Sequence, residues 1–128
     1  MHYRNIPGTD LNVSSICLGT ASIGSTIDRE KSFTLLDKFF EMGGNFLDTA
    51  HVYADWIPGE KSSSEKTIGK WMRERGIRDK IIIGTKGGHP LLSGEMIMRL
   101  SREELTSDLN TCYNLKVKDF GFNPHKSS

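Results

Sequence analysis

The sequence is short of the residues that several chemistries require. It has two cysteines, Cys17 and Cys112, far apart in the chain. Neither belongs to a CxxC pair or a histidine-rich cluster, so no metal site is expected, and both are read as reduced thiols packed in the core. Charge of one sign is lacking too: 17 basic residues against 16 acidic ones leave a net charge of +1. With no long Lys/Arg cluster, nucleic acid and anionic membranes have no support as partners. Long hydrophobic runs are also missing. None approaches the roughly 20 residues that cross a bilayer, and the opening MHYRNIPGTD is polar, without a signal core. A soluble cytoplasmic protein is the expectation.

What is present is ordinary in amount and regular in order. The chain is 36% apolar and 26% charged over 128 residues, enough for one domain with a real core. HYRNIPGTDLNVS predicts a small hairpin around its Pro-Gly-Thr-Asp turn, and SSICLGT a short strand ending at Gly19. DREKSFTLLDKFFEMGG has helical spacing at Phe33, Leu36 and Phe40, a cap at Asp28 and a stop at Gly43 and Gly44. The short strand NFLD follows. SSSEKTIGKWMRERG predicts a helix with a capping box from Ser62 to Glu65, an inward stripe of Ile68, Trp71 and Met72, and a stop at Gly76. DKIIIGTK is a β-branched run of the kind buried on both faces of a parallel sheet. SREE opens a third helix with a box from Ser101 to Glu104, then Leu105, Leu109 and Cys112 at helical spacing.

Strand starts recur every ~30 to 38 residues, as in successive βαβ units. The class is therefore α/β with a parallel sheet, in a single domain over 1–128. A Rossmann dinucleotide site would need G-x-G-x-x-G after the first strand, and LGTASIGS does not supply it. The distinctive residues instead follow the second and third strands, which is the habit of (β/α)8 barrels. The expected architecture is a partial (β/α)8 TIM barrel, an N-terminal hairpin plus about three βα units.

Asp48 follows NFL, Tyr53 comes five residues later, and Lys86 follows IIIGT. Neighbouring strands lie ~4.8 Å apart, so the first and last of these can meet on one rim with the phenol above them. A free tyrosine has a pKa near 10 and donates poorly at neutral pH. A nearby ammonium stabilises the phenolate, and a carboxylate keeps the ammonium charged and aimed. Such a set makes a general acid for an oxygen that gains negative charge. Taken singly, Asp48 reads as a loop anchor, Tyr53 as a cover for the core and Lys86 as a solvated lysine. Their joint placement favours the chemical reading. His51 and His89, near the same rim, read as loop histidines without a catalytic role.

FLDTAHVYAD together with IIIGTKGG resembles the aldo/keto reductases, and the hairpin followed by ICLGTASIG is similar to that family's barrel floor and first strand. The resemblance runs from about Tyr3 to about Cys112. It implies Tyr53 as proton donor, Lys86 as the group that lowers its pKa, and Asp48 as the anchor of Lys86. It also implies Gly19, Thr20 and Asp48 near the nicotinamide of NADPH, with NADH left open, and a small aldehyde or ketone as substrate.

The likeness holds over 1–118 and departs at 119–128. In KDFGFNPHKSS, Gly121 and Pro124 interrupt what should be a buried fourth strand. His125 follows Asp119 more closely than the family's fourth catalytic residue would. Members complete eight units, so a truncated chain, inactive alone, is the expectation. Two alternatives stand beside it. One is a non-catalytic remnant or a module that self-associates through open sheet edges. The other is a Schiff-base lyase using Lys86.

Overall fold

The computed structural model describes residues 1–90 and 99–114, with backbone alone for 111–114. The 119–128 tail with His125, and the Cys112 side chain, lie outside the described residues. β1 (Tyr3–Asn5) and β2 (Asn12–Ser14) form the antiparallel hairpin. It is tied to the start of the next helix-to-strand turn. The Tyr3 hydroxyl donates to the Gly43 carbonyl (2.7 Å), and Asn45 Oδ1 accepts from the Ser14 N–H (2.7 Å).

Three parallel strands follow, β3 (Leu18–Gly19), β4 (Phe46–Asp48) and β5 (Ile82–Gly84), in that spatial order. They alternate with α1 (Arg29–Glu41), α2 (Ser63–Arg75) and α3 (Arg102–Asn114); a 3-10 turn, Arg78–Lys80, leads into β5. The register pairs Leu18 with Leu47 with Ile83, and Gly19 with Asp48 with Gly84. Side chains alternate between the faces of a sheet, so Leu47 and Ile83 point to the helices. Cys17, Phe46, Ile82 and Asp48 point the other way, toward what would be a barrel interior.

The core lies wholly on the helix side. Leu36, Leu47 and Trp71 are 0% exposed, and Ile23, Ile68, Met72, Ile81 and Ile83 nearly so. Burial of each such side chain contributes about 1.5 to 3 kcal/mol. The inward stripe expected on α2 is present in full. Trp71 donates its indole N–H to Asp37 (2.8 Å), and Arg75 grips the same carboxylate through two nitrogens (2.9 and 2.7 Å). This pins α2 to α1.

Helix ends follow the expected chemistry with one exception. Asp28 accepts from the Lys31 N–H, and Ser101 and Glu104 exchange both bonds of a capping box. Gly76 takes the left-handed turn after α2. Gly43 does so after α1, and a Cβ at Gly44 would collide with the Phe39 ring. The box from Ser62 to Glu65 does not form. Ser62 adopts φ 54° and makes no side-chain cap bond. Its N–H is drawn to Asp55 Oδ1 (2.6 Å), and Glu65 turns to the Thr85 hydroxyl (2.5 Å).

Two burial expectations are corrected. Cys17 is exposed rather than core-packed, because it sits on the sheet face that no helix covers among the described residues. For the same reason β5 is buried on one face only: Ile83 is inside and Ile82 only half-buried. On α3 the periodic Leu105 and Leu109 stay over a third exposed. Among the described residues no further βα unit lies against them, and no helix is long and apolar enough to cross a membrane.

Candidate active site

The site forms where the ladder between β4 and β5 runs past the strand ends. The Thr49 N–H donates to the Gly84 carbonyl (2.8 Å) and the His51 N–H to the Lys86 carbonyl (3.0 Å). Asp48 and Lys86 are thereby held side by side. Lys86 Nζ donates to Asp48 Oδ1 (2.6 Å) and to the Thr49 carbonyl (2.7 Å). The Tyr53 hydroxyl donates to Asp48 Oδ2 over 3.4 Å, and Lys86 Nζ lies 5.1 Å from the centre of the Tyr53 ring. The three residues singled out in the sequence meet on one rim.

The two bonds to Asp48 differ in kind. At 2.6 Å the lysine contact is a short charge-assisted bond. At 3.4 Å the phenol contact is weak, so the hydroxyl can leave Asp48 for a better acceptor at little cost. Partial burial pulls the Lys86 pKa down; the hydrogen bond and charge of Asp48, with the Tyr53 phenol, outweigh it and leave the pKa raised. Lys86 is therefore a fixed cation at neutral pH. Its side chain is 51% exposed and that of Asp48 45%. A pair so open to water adds little to stability, and its value is positional. Cys17 looks onto the same face, its thiol pushed up by partial burial and by the Asp48 carboxylate against the pull of Lys86.

Gly19 and Thr20 occupy different places. Gly19 is exposed, faces Asp48 across the register, and a Cβ there would meet nothing within 4 Å. Its missing side chain leaves open space beside Asp48. Thr20 is fully buried. Its N–H (3.0 Å) and hydroxyl (2.9 Å) both donate to the Asp48 carbonyl, while Ser64 from α2 donates to the Thr20 carbonyl (2.7 Å). Thr20 thus stands behind the site and fixes the backbone from which Asp48 projects.

A second polar cluster gathers around His51, whose main chain is bonded to Lys86. His51 sits between two buried carboxylates, its Nδ1 4.0 Å from Glu65 and its Nε2 3.8 Å from Asp108. Asp108 also receives the Arg99 guanidinium (2.8 Å) and the Gly88 N–H (3.0 Å). Burial raises the pKa of Asp108; Arg99, Gly88 and His51 outweigh it and hold the pKa below the ordinary range. His51 therefore bridges α2 and α3. His89 is turned away, Nδ1 donating to the Pro90 carbonyl (2.8 Å). The sequence held a signal for Glu65: it falls at i−3 and i−7 from Ile68 and Met72, on the inward stripe, where a carboxylate needs partners.

Comparison with known proteins places the chain in a family. The chain is 46% identical over 93 residues to an aryl-alcohol dehydrogenase [NADP(+)] of Phanerodontia chrysosporium, covering 66% of this chain and 23% of that protein. It is 39% identical over 101 residues to an uncharacterised 11.2 kDa protein of Pseudescherichia vulneris, covering 77% of this chain and 98% of that one. The holo form of aldo-keto reductase AKR11C1 from Bacillus halodurans superposes with TM-score 0.72 at 28% identity, over 91% of this chain and 37% of that one. The chain thus spans about a quarter of the dehydrogenase and over a third of the reductase, whose fold is a TIM barrel. The family model for the aldo/keto reductases matches residues 15–119, and the chain belongs to the aldo/keto reductase family.

Proposed function

We propose that this chain carries the proton-donating rim of an NADPH-dependent reductase of aldehydes or ketones, with Tyr53 as the donor. The observation that carries the reading is the placement of Lys86 Nζ, 2.6 Å from Asp48 and 5.1 Å from the Tyr53 ring centre. A carbonyl oxygen near Tyr53 would draw the phenol away from its long bond to Asp48. As negative charge grows on that oxygen, Tyr53 gives up its proton. Lys86 stabilises the phenolate left behind, and Asp48 keeps Lys86 in place. NADPH, when bound, supplies the hydride to the carbonyl carbon. Gly19 would leave room for the nicotinamide, and Asp48 would hold its ribose. The name of the fungal relative supports NADP(H) and an aryl alcohol–aldehyde pair. A cytoplasmic setting and a small carbonyl substrate go with this proposal.

By themselves the 128 residues are expected to give no measurable carbonyl reduction, since the relatives bring further βα units to the site. The test is a chimera in which this chain replaces the matching stretch of the full-length fungal dehydrogenase. It should oxidise NADPH with an aryl aldehyde. Tyr53→Phe in the chimera should slow this by roughly 10²- to 10⁴-fold. Full activity with phenylalanine at that position overturns Tyr53 as the donor.

Schiff-base chemistry at Lys86 has no support, since a nucleophilic lysine needs a lowered pKa and this one is raised. Self-association has one observation in its favour: among the described residues β3 and β5 each pair on one side only. Size-exclusion chromatography decides it, a monomer at micromolar concentration ruling it out.

A further inference from the structure

We propose that Trp56 is a specificity-determining residue, forming an aromatic wall beside Tyr53 that favours carbonyl substrates bearing a flat aromatic ring. The inference rests on the reading of Tyr53 as proton donor and names a residue that would select the substrate. Trp56 is 52% exposed, whereas the chain's other tryptophan, Trp71, is fully buried. Its ring stands 6.1 Å from that of Tyr53 at 67°, an edge-to-face pair. Lys86 also lies close to the Tyr53 ring.

The loop holds this wall in place. Successive turns tie the Tyr53 N–H to Ala50, the Asp55 N–H to Val52 and the Ile57 N–H to Ala54 (3.0, 3.0 and 3.1 Å). Val52 and Ala54 are buried, so the segment is plugged into the body of the protein on both sides of Tyr53. Ala54 sits at φ 75°, a strained conformation for a residue with a Cβ, which persists where surrounding contacts impose it. Asp55 closes the loop, accepting from the Ser62 N–H (2.6 Å). The result is a large apolar ring fixed at the mouth of the site and half in water.

An aryl aldehyde is planar, with its carbonyl conjugated to the ring. Aromatic rings attract one another at centroid separations of about 4.5 to 7 Å. A substrate whose oxygen meets the Tyr53 hydroxyl can therefore place its ring against Trp56. A saturated ring of the same size gains burial there but no quadrupole contact. The selectivity this gives is roughly 3- to 10-fold in affinity.

Proton–nitrogen correlation spectra of the full chain test this, because its two indole N–H groups are distinguishable. The Trp71 group is buried and bonded to Asp37. With NADP+ present, so that no hydride is delivered, benzaldehyde should shift the Trp56 signal and leave that of Trp71 still. Cyclohexanecarbaldehyde should bind roughly 3- to 10-fold more weakly. Trp56→Phe should keep the preference, and Trp56→Leu, apolar without a ring, should abolish it. If the Tyr53 amide signal moves while the Trp56 indole does not, or if Trp56→Leu keeps the preference, the inference is overturned and the donor reading stands. If neither aldehyde moves Tyr53 or Trp56, the inference is overturned, and the donor reading is decided separately by the Tyr53→Phe chimera.

Discussion

The two faces of the β3–β4–β5 sheet differ sharply although the same strands build both. On the helix side Leu47 and Ile83 are sealed under α1 and α2. On the other side Cys17 is exposed, Phe46 and Ile82 are half-buried, and the charged rim is open to water. Stability and chemistry are thus assigned to opposite sides of one layer. A residue's place in the alternation says more about the effect of changing it than its hydrophobicity does.

The largest contrast should come from neighbours in one strand. Ile83→Ala should cost about 2 to 5 kcal/mol of unfolding free energy, and Ile82→Ala about 1 kcal/mol or less. Urea denaturation with both variants measures the difference. Equal losses would mean that the second face is covered in solution.

Carboxylates should sort by the same rule. Asp108→Asn removes the charge facing Arg99 within a buried pair and should cost about 2 to 3 kcal/mol. Asp48→Asn, on the wet rim, should stay within about 1 kcal/mol. The pH dependence follows from the lowered pKa of Asp108. Its folded value lies below the unfolded one near 3.9. Its contribution is therefore whole above about pH 4 to 5 and is lost as pH falls through the folded value. Unfolding followed by circular dichroism during acid titration should show this loss, and Asp108→Asn should flatten it. Lys86, with a raised pKa, has the opposite sign: its small contribution is whole below the unfolded value and fades as alkaline pH passes the folded one.

The smallest effect sharpens the comparison at the helix ends. Ser101→Ala should cost about 1 kcal/mol, since its hydroxyl caps α3. Ser62→Ala should cost less, because the Ser62 side chain caps no helix and its hydroxyl makes only a long contact with His51 (3.4 Å). Thermal melts of the pair settle which serine holds a helix.

Much of the fold was legible because it rests on local signals. Helical spacing placed α1 and α2, and Gly43 and Gly76 marked their stops. The order of strand and helix placed Asp48 and Lys86 on a shared rim before any distance was known. What escaped the sequence depends on where side chains meet in space, near or far in the chain. Ser62 and Glu65 have the spacing of a cap, yet Asp55 and Thr85 compete for them more successfully. Cys17 reads as a core residue by type, but among the described residues nothing packs over its face of the sheet. His51 gives no local hint of Asp108, 57 positions on, nor Asp108 of Arg99. Trp56 looks like any loop aromatic until its angle to Tyr53 is seen.

Lys86 is gripped at both ends. Its main-chain carbonyl is bonded by His51, and its ammonium by Asp48 and by the Thr49 carbonyl. A free lysine stem samples many rotamers, worth about 1.5 to 2 kcal/mol of entropy when frozen. Here the two bonds restrict that freedom on folding. The stem works as a strut of set length between two strands, and arginine, longer and planar at its tip, would not span the same gap.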